Sequence, residues 1–172
     1  MIELSNLSIH FGTAAALRDA NLVIERGDRL GVVGESGSGK TLLALCLMGM
    51  APESARMTGQ LRIDGQDMAT ASERDWQRLR SRRVAMVFQE PMAALNPLRR
   101  VGDTVMEPML LHDGLTRSAA RARALSLFEE VGIPDPDRRL RQFPHEMSGG
   151  QRQRVLIALA LACNPMLLIA DE

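Results

Sequence analysis

The chain of 172 residues contains no tyrosine, one tryptophan and four phenylalanines, so aromatics make up only 3% of it. That is too few for the stacked aromatic platform on which single-stranded nucleic acids are held. Its two cysteines, Cys46 and Cys163, sit inside apolar runs far apart in sequence. This excludes a disulfide framework and a zinc knuckle, and it points to a reducing, cytosolic setting. There is no excess charge of either sign: Lys and Arg number 21, as do Asp and Glu. A chain with zero formal net charge is not built for non-specific nucleic-acid binding, nor for a polybasic membrane anchor. Long apolar runs are missing as well. The longest, residues 42–51 and 155–163, are about ten residues each, roughly half of what crosses a bilayer. No basic flank leads into an apolar core at the first residues. Any membrane role is therefore expected to be peripheral, through a partner.

What is present is globular in character: 45% hydrophobic and 24% charged residues. The length suits one domain, or a core with one insertion. Periodicity predicts strands at 2–10, 21–25, 58–65, 84–88 and 166–170, and a short buried strand at 29–33 (RLGVV). It predicts helices at 40–50, closed by Ala51-Pro52, and at 72–83. Two more are expected, from Thr116 to Val131 with Gly132 as C-terminal cap, and from Ser148 to about Cys163, broken by Asn164-Pro165. The outer parts alternate strand and helix, as in a parallel sheet covered by helices. The middle, about 90–147, reads as an Arg-rich helical insertion.

Three stretches carry chemistry. Gly34-Glu35-Ser36-Gly37-Ser38-Gly39-Lys40-Thr41 fits the phosphate-binding loop pattern G-x-x-x-x-G-K-[ST]. Its glycines let backbone N–H groups wrap a phosphate, and the helix that follows adds its positive dipole end. Lys40 is placed to reach the β- and γ-phosphates, and the Thr41 hydroxyl to ligate Mg²⁺. The second stretch, Met166-Leu167-Leu168-Ile169-Ala170-Asp171-Glu172, is an apolar strand ending in two acids. Asp171 suits Mg²⁺ held through water, and Glu172 suits the base that activates a water. The third, Ser148-Gly149-Gly150-Gln151, opens a helix. It reads either as an ordinary N-cap or as a second anion site. Two phosphate-facing elements in one chain make sense if each chain caps the nucleotide held by another. The basic run Arg78, Arg80, Arg82 and Arg83 is a solvated face or, alternatively, a phosphate contact. The eleven methionines suit core filling. His10, His112 and His145 are not spaced as metal ligands.

The order of these elements, with Gln89 after a buried strand, resembles the nucleotide-binding domain of ABC transporter ATPases across nearly the whole chain. The resemblance implies an α/β P-loop NTPase fold with a parallel core sheet, an N-terminal antiparallel β part and a helical insertion. It implies a core of 1–89 and 148–172 and a helical subdomain of about 90–147. Residues 34–41 then match Walker A, Ser148–Gln151 the signature, Asp171 the Walker B aspartate and Glu172 the catalytic glutamate. Gln89 matches the Q-loop glutamine, which senses Mg²⁺ and the attacking water and links to the transmembrane subunit. Phe11 lies where the family places an aromatic that stacks on adenine; a turn or core aromatic is the other reading. The stretch Phe88-Gln89-Glu90-Pro91-Met92-Ala93-Ala94-Leu95-Asn96-Pro97 is similar to a segment of dipeptide, oligopeptide and nickel importer ATPases. Phe143-Pro144-His145-Glu146-Met147 and Val131-Gly132-Ile133-Pro134 agree with that subfamily.

The resemblance implies an ATP-hydrolysing, Mg²⁺-dependent subunit on the cytoplasmic face of the inner membrane. It would bind permease subunits and pair head to tail with a second such ATPase, without nucleic acid. A soluble ABC-type ATPase acting on nucleic acid or ribosomes is the first alternative, and a non-hydrolysing nucleotide-binding module the second. The family's Pro-rich loop and switch histidine, expected after Walker B, have no counterpart here, so the chain is expected to be a fragment incomplete at the C-terminus.

Overall fold

The computed structural model describes residues 1–88 and 94–171. The chain divides into two compact units, Met1–Gln77 and Arg78–Glu172.

The first unit is built on β1 (Ile2–Phe11), β2 (Ala14–Ile24), β3 (Ala55–Ile63) and the short β4 (Gln66–Asp67). They form an antiparallel sheet in the order β2-β1-β3-β4. Simple alternation would put Ile2 and Leu4 on one face of β1 and Leu7 and Ile9 on the other. All four are buried, because the register shifts between Leu4 and Leu7. Asn6 makes the shift with φ of 48°, and its N–H donates to Asn21 Oδ1 at 2.9 Å. Asparagine tolerates this left-handed conformation better than most residues do. Across the bulge sits Gly59, with φ of +91°, where a Cβ would come within 2.3 Å of the Asn6 carbonyl oxygen. Gly59→Ala is therefore expected to cost about 2–4 kcal/mol, from left-handed strain plus a backbone clash. Denaturant unfolding of the full-length protein checks this.

Helix α1 (Lys40–Leu47) ends three residues before the sequence reading put its end. Gly49, at φ of +63°, turns the chain, and the Met50 N–H closes a Schellman-type bond to the Leu45 carbonyl at 2.8 Å. The Trp76 ring covers this turn so closely that a Cβ on Gly49 would overlap it. Trp76 belongs to α2 (Glu73–Arg82), which spans the boundary between the units.

The run Arg29–Val33 is not a strand. Leu30 is 52%, Val32 51% and Val33 95% exposed. A central strand is defined by neighbours that take up its N–H and C=O groups. Among the described residues no strand pairs with this segment. Its apolarity was legible in the sequence, but its pairing was not.

The second unit contains β5 (Val84–Val87) and β6 (Leu167–Ala170), paired in parallel from Val84↔Leu167 to Val87↔Ala170. Its core is helical: α3 (Val101–Leu111), α4 (Arg117–Glu130) and α6 (Gly149–Ala160). Val101, Val105, Met109, Leu127, Phe128 and Val155 are wholly buried among them. Thr116 caps α4 by accepting from the Ala119 N–H, and Gly132 (φ 72°) ends it, as the sequence predicts. The polar link between α4 and the Ser148 turn forms a short helix α5 (Pro136–Arg139). Carbonyls just after it hold the start of α3: Val101 N–H donates to Gln142 O and Gly102 N–H to Leu140 O. A hydrogen bond from Arg121, together with the Arg141 guanidinium 2.9 Å away, holds the Asp137 carboxyl below the usual carboxylate range.

Candidate nucleotide-binding site

In the first unit, the loop of residues 34–39 enters α1 directly. Ser38 N–H donates to Glu35 O at 3.2 Å, which bends the loop, and Leu43 N–H to Gly39 O at 2.8 Å starts the helix. The amides of Lys40, Thr41 and Leu42 precede that first helical bond, so they are the donors a helix N-terminus offers to an anion. The glycines answer to geometry. Gly37 and Gly39 have φ of +80° and +93°. A Cβ on Gly34 would come within 2.7 Å of Ser38 Oγ, and one on Gly39 within 2.9 Å of Ala16 O. The Lys40 side chain folds back over the loop, its Nζ donating to Gly34 O and Glu35 O, each at 2.8 Å. An ammonium, three or more helical N–H groups and little side-chain bulk make a cradle that fits a chain of phosphates. Glu35, Ser36 and Ser38 are exposed on it, as is Thr41.

Gly39 approaches β2 at Ala16, close to the hairpin where Phe11 pairs with Ala14. Phe11 is the last residue of β1 and half-buried. The hairpin thus carries both the carbonyl that the loop packs on and, a few residues away, a half-buried aromatic residue.

In the second unit, Asp171 follows β6 at the carboxyl end of the parallel pair. Its N–H donates to Val87 O at 3.1 Å, so its backbone stands beside the last residue of β5. The carboxyl ends of parallel strands are where ligands bind in open α/β sheets. Phe88, half exposed, follows β5. Gln89 and Glu172 lie outside the described residues.

Ser148 caps α6 through a reciprocal pair: its Oγ accepts from Gln151 N–H at 3.3 Å, and Gln151 Oε1 accepts from Ser148 N–H at 3.1 Å. The N-cap reading of Ser148 therefore describes the structure. The two glycines after it have a different character from those of the loop. Gly149 and Gly150 are exposed, lie in the helix, and a Cβ on either would meet nothing within 4 Å. Among the described residues nothing requires glycine there, although glycine within a helix weakens it by up to about 1 kcal/mol relative to alanine.

Sequence reasoning passed over Arg152 and Arg154. Arg152 Nε–H donates to Pro144 O at 2.6 Å and Met147 O at 3.1 Å, while Arg154 Nη1 donates to the Val131 and Gly132 carbonyls. A signal was available: two cations close to a helix N-terminus oppose the dipole, so each needs another partner. Both thiols are held protonated at neutral pH, at about 11. Burial raises Cys46; burial and then Asp113 raise Cys163. Neither is a nucleophile in this state. His145 stacks on Phe143, with ring centroids 5.6 Å apart. Arg78, Arg80 and Arg83 each have partners within the protein.

The family model described as ABC transporter matches residues 17–172. The oligopeptide transport ATP-binding protein OppD of Bacillus subtilis is 43% identical over 178 residues, covering 100% of this chain and 50% of that one. The dipeptide transport ATP-binding protein DppD of Escherichia coli is 44% identical over 177 residues, covering 100% and 54%. The chain thus spans about half the length of the curated relatives it matches. A solved dimer of the ATP-binding cassette MJ0796, in a post-hydrolysis state with ADP and phosphate, aligns at TM-score 0.83 and 30% identity. That alignment covers 100% of this chain and 74% of the other. With nearly all of its length inside the family model and its fold shared with a solved cassette, the chain belongs to the ABC transporter family.

Proposed function

We propose that this chain is the ATP-binding and ATP-hydrolysing part of a subunit that energises import of peptide-type substrates, di- or oligopeptides or nickel. The core of 1–89 and 148–172 and a helical subdomain of about 90–147 belong to the same reading. So does a peripheral position on the cytoplasmic face of the membrane, which the transport ATP-binding names of the relatives support. The names of the relatives support the peptide class.

In this mechanism the 34–39 amides and the Lys40 ammonium bind the β- and γ-phosphates. Phe11 stacks on the base. The Thr41 hydroxyl and, through water, the Asp171 carboxylate would hold Mg²⁺, an ion that suits oxygen donors and retained water. Bound there, Mg²⁺ supplies neutralisation of the charge that develops on the transferred phosphoryl group. Gln89 orients the attacking water and Glu172 accepts its proton. The Ser148 hydroxyl and the Gly150 N–H, with Gly149 and Gln151 shaping the turn, serve the nucleotide held by a second ATPase subunit packed head to tail. A permease subunit docks on the helical region and the Gln89 segment. Met106, Leu110 and Leu111 line a groove on that region, rimmed by the ion pairs Arg99–Glu107 (2.8 Å) and Arg117–Asp103 (3.3 Å).

The observation that carries the composite site is the open space around Gly149 and Gly150. Glycines that cost helix stability, with no contact among the described residues to demand them, leave room for a group from outside the chain. The expected outcome for Gly150→Ala in the full-length subunit is a pair of opposite effects. Stability rises by up to about 1 kcal/mol, and ATP turnover falls at least about tenfold as the methyl group blocks approach to the phosphate. Unfolding and steady-state hydrolysis, measured on one preparation, check both. Turnover that stays at the wild-type level refutes the composite site.

A further inference from the structure

Resting on the reading that Ser148–Gly150 meets a partner's nucleotide, we propose that Arg152 is a positioning residue for hydrolysis. Its Nε–H, shared between the carbonyls of Pro144 and Met147, fixes where the Ser148 turn points.

The two carbonyls bracket the segment that leads into α6. Pro144 opens the 3-10 turn Pro144–Glu146, and Met147 directly precedes Ser148. Both residues are buried, while Ser148, Gly149 and Gly150 are exposed. The turn is closed on its other side, where Phe143 N–H donates to Glu146 Oε2 at 2.7 Å. The half-buried Arg152 reaches back from the end of the first turn of α6 and ties the helix to the segment that delivers Ser148. Without it, the capping box between Ser148 and Gln151 still starts the helix. The angle at which the helix end presents its hydroxyl and amides would then be set by the cap alone. A displacement of about 1 Å at groups that must meet a phosphoryl oxygen can cost on the order of a hundredfold in rate.

Arg154 provides the comparison. It lies two residues on and donates to Val131 and Gly132 at the end of α4, not to the Ser148 segment. Arg154 is exposed and its carbonyl partners lie at the end of α4 rather than in the Ser148 segment, so its contact supports α4.

The test uses the full-length subunit assembled with its partners, as wild type, Arg152→Met, Arg152→Lys, Arg154→Met and Gly150→Ala. The quantities read are kcat and KM for MgATP, the affinity for MgADP and Tm. Arg152→Met is expected to lower kcat about 10- to 100-fold and to leave MgADP affinity within about twofold, because ADP is held by the 34–41 loop. Arg152→Lys recovers part of kcat, since an ammonium satisfies one carbonyl at a time and lacks the planar fork. Arg154→Met lowers Tm and keeps kcat per folded molecule within about threefold of wild type. An unchanged kcat in Arg152→Met overturns the proposal, and so does an equal kcat loss in Arg154→Met at a matched fall in Tm. If Arg152→Met does not fold, Arg152→Lys decides: a lowered kcat with unaltered MgADP affinity supports the proposal, and a wild-type kcat overturns it. If Gly150→Ala hydrolyses ATP at the wild-type rate, the underlying reading of the Ser148 turn fails first and the proposal falls with it.

Discussion

A Glu172→Gln subunit, full length and assembled with its partners, is expected to bind MgATP about as tightly as the wild type and to hydrolyse it at least about a hundredfold more slowly. Glutamine is nearly isosteric with glutamate and keeps a hydrogen bond to the water, but it cannot accept the proton. General-base catalysis of this kind contributes roughly 10²–10⁴ in rate, so the loss falls almost wholly on kcat. Binding is spared because the 34–41 loop supplies it. Where nucleotide-bound subunits pair head to tail, blocked turnover leaves the pair closed. The variant, as the isolated full-length subunit, is then expected to accumulate as an ATP-dependent dimer in size-exclusion chromatography, and the wild type is not. Unchanged turnover removes Glu172 from the role of base.

Lys40→Ala fails earlier, at binding. The Lys40 ammonium stands over the loop and donates to Gly34 O and Glu35 O. Truncation removes a cation aimed at the β- and γ-phosphates and also a tie across the loop. One charge-assisted hydrogen bond contributes about 1.5–3 kcal/mol, so MgATP affinity is expected to fall roughly 10- to 100-fold. Turnover at saturating nucleotide falls further, on the order of a thousandfold, because the same charge stabilises the transferred phosphoryl group. Lys40→Arg does not restore it: a planar guanidinium does not fold into the compact turn that an ammonium on a flexible stem occupies. Calorimetric titration with MgATP and phosphate-release kinetics check the two losses separately.

The parts of the fold that were legible in the sequence are those fixed locally. The 34–41 loop and the caps at Thr116, Ser148 and Gly132 each depend mainly on residues within one turn of one another. The parts that were not legible depend on partners distant in sequence. Arg29–Val33 is apolar enough for a strand, but pairing defines a strand, and among the described residues none is paired with it. In β1 the alternation breaks at Asn6, and only the cross-strand contact with Gly59 shows why Ile2, Leu4, Leu7 and Ile9 are all buried together. Arg152 acts on backbone carbonyls, which every residue possesses, so no acceptor in the sequence marks its target. The contrast between the two sets of glycines was likewise invisible. Gly39, left-handed and against the Ala16 carbonyl, is demanded by the chain's own packing, and among the described residues nothing demands those at 149 and 150.

The measurement that bears most directly on the account is phosphate release by the full-length subunit, reconstituted with its permease in liposomes and supplied with MgATP, with and without transported peptide. The account predicts release that saturates with ATP, stops when Mg²⁺ is chelated and rises when peptide is supplied. Tight ATP binding with no phosphate release would contradict it in favour of a non-hydrolysing module. Release that requires RNA or ribosomes rather than the permease would contradict it in favour of a soluble ABC-type ATPase.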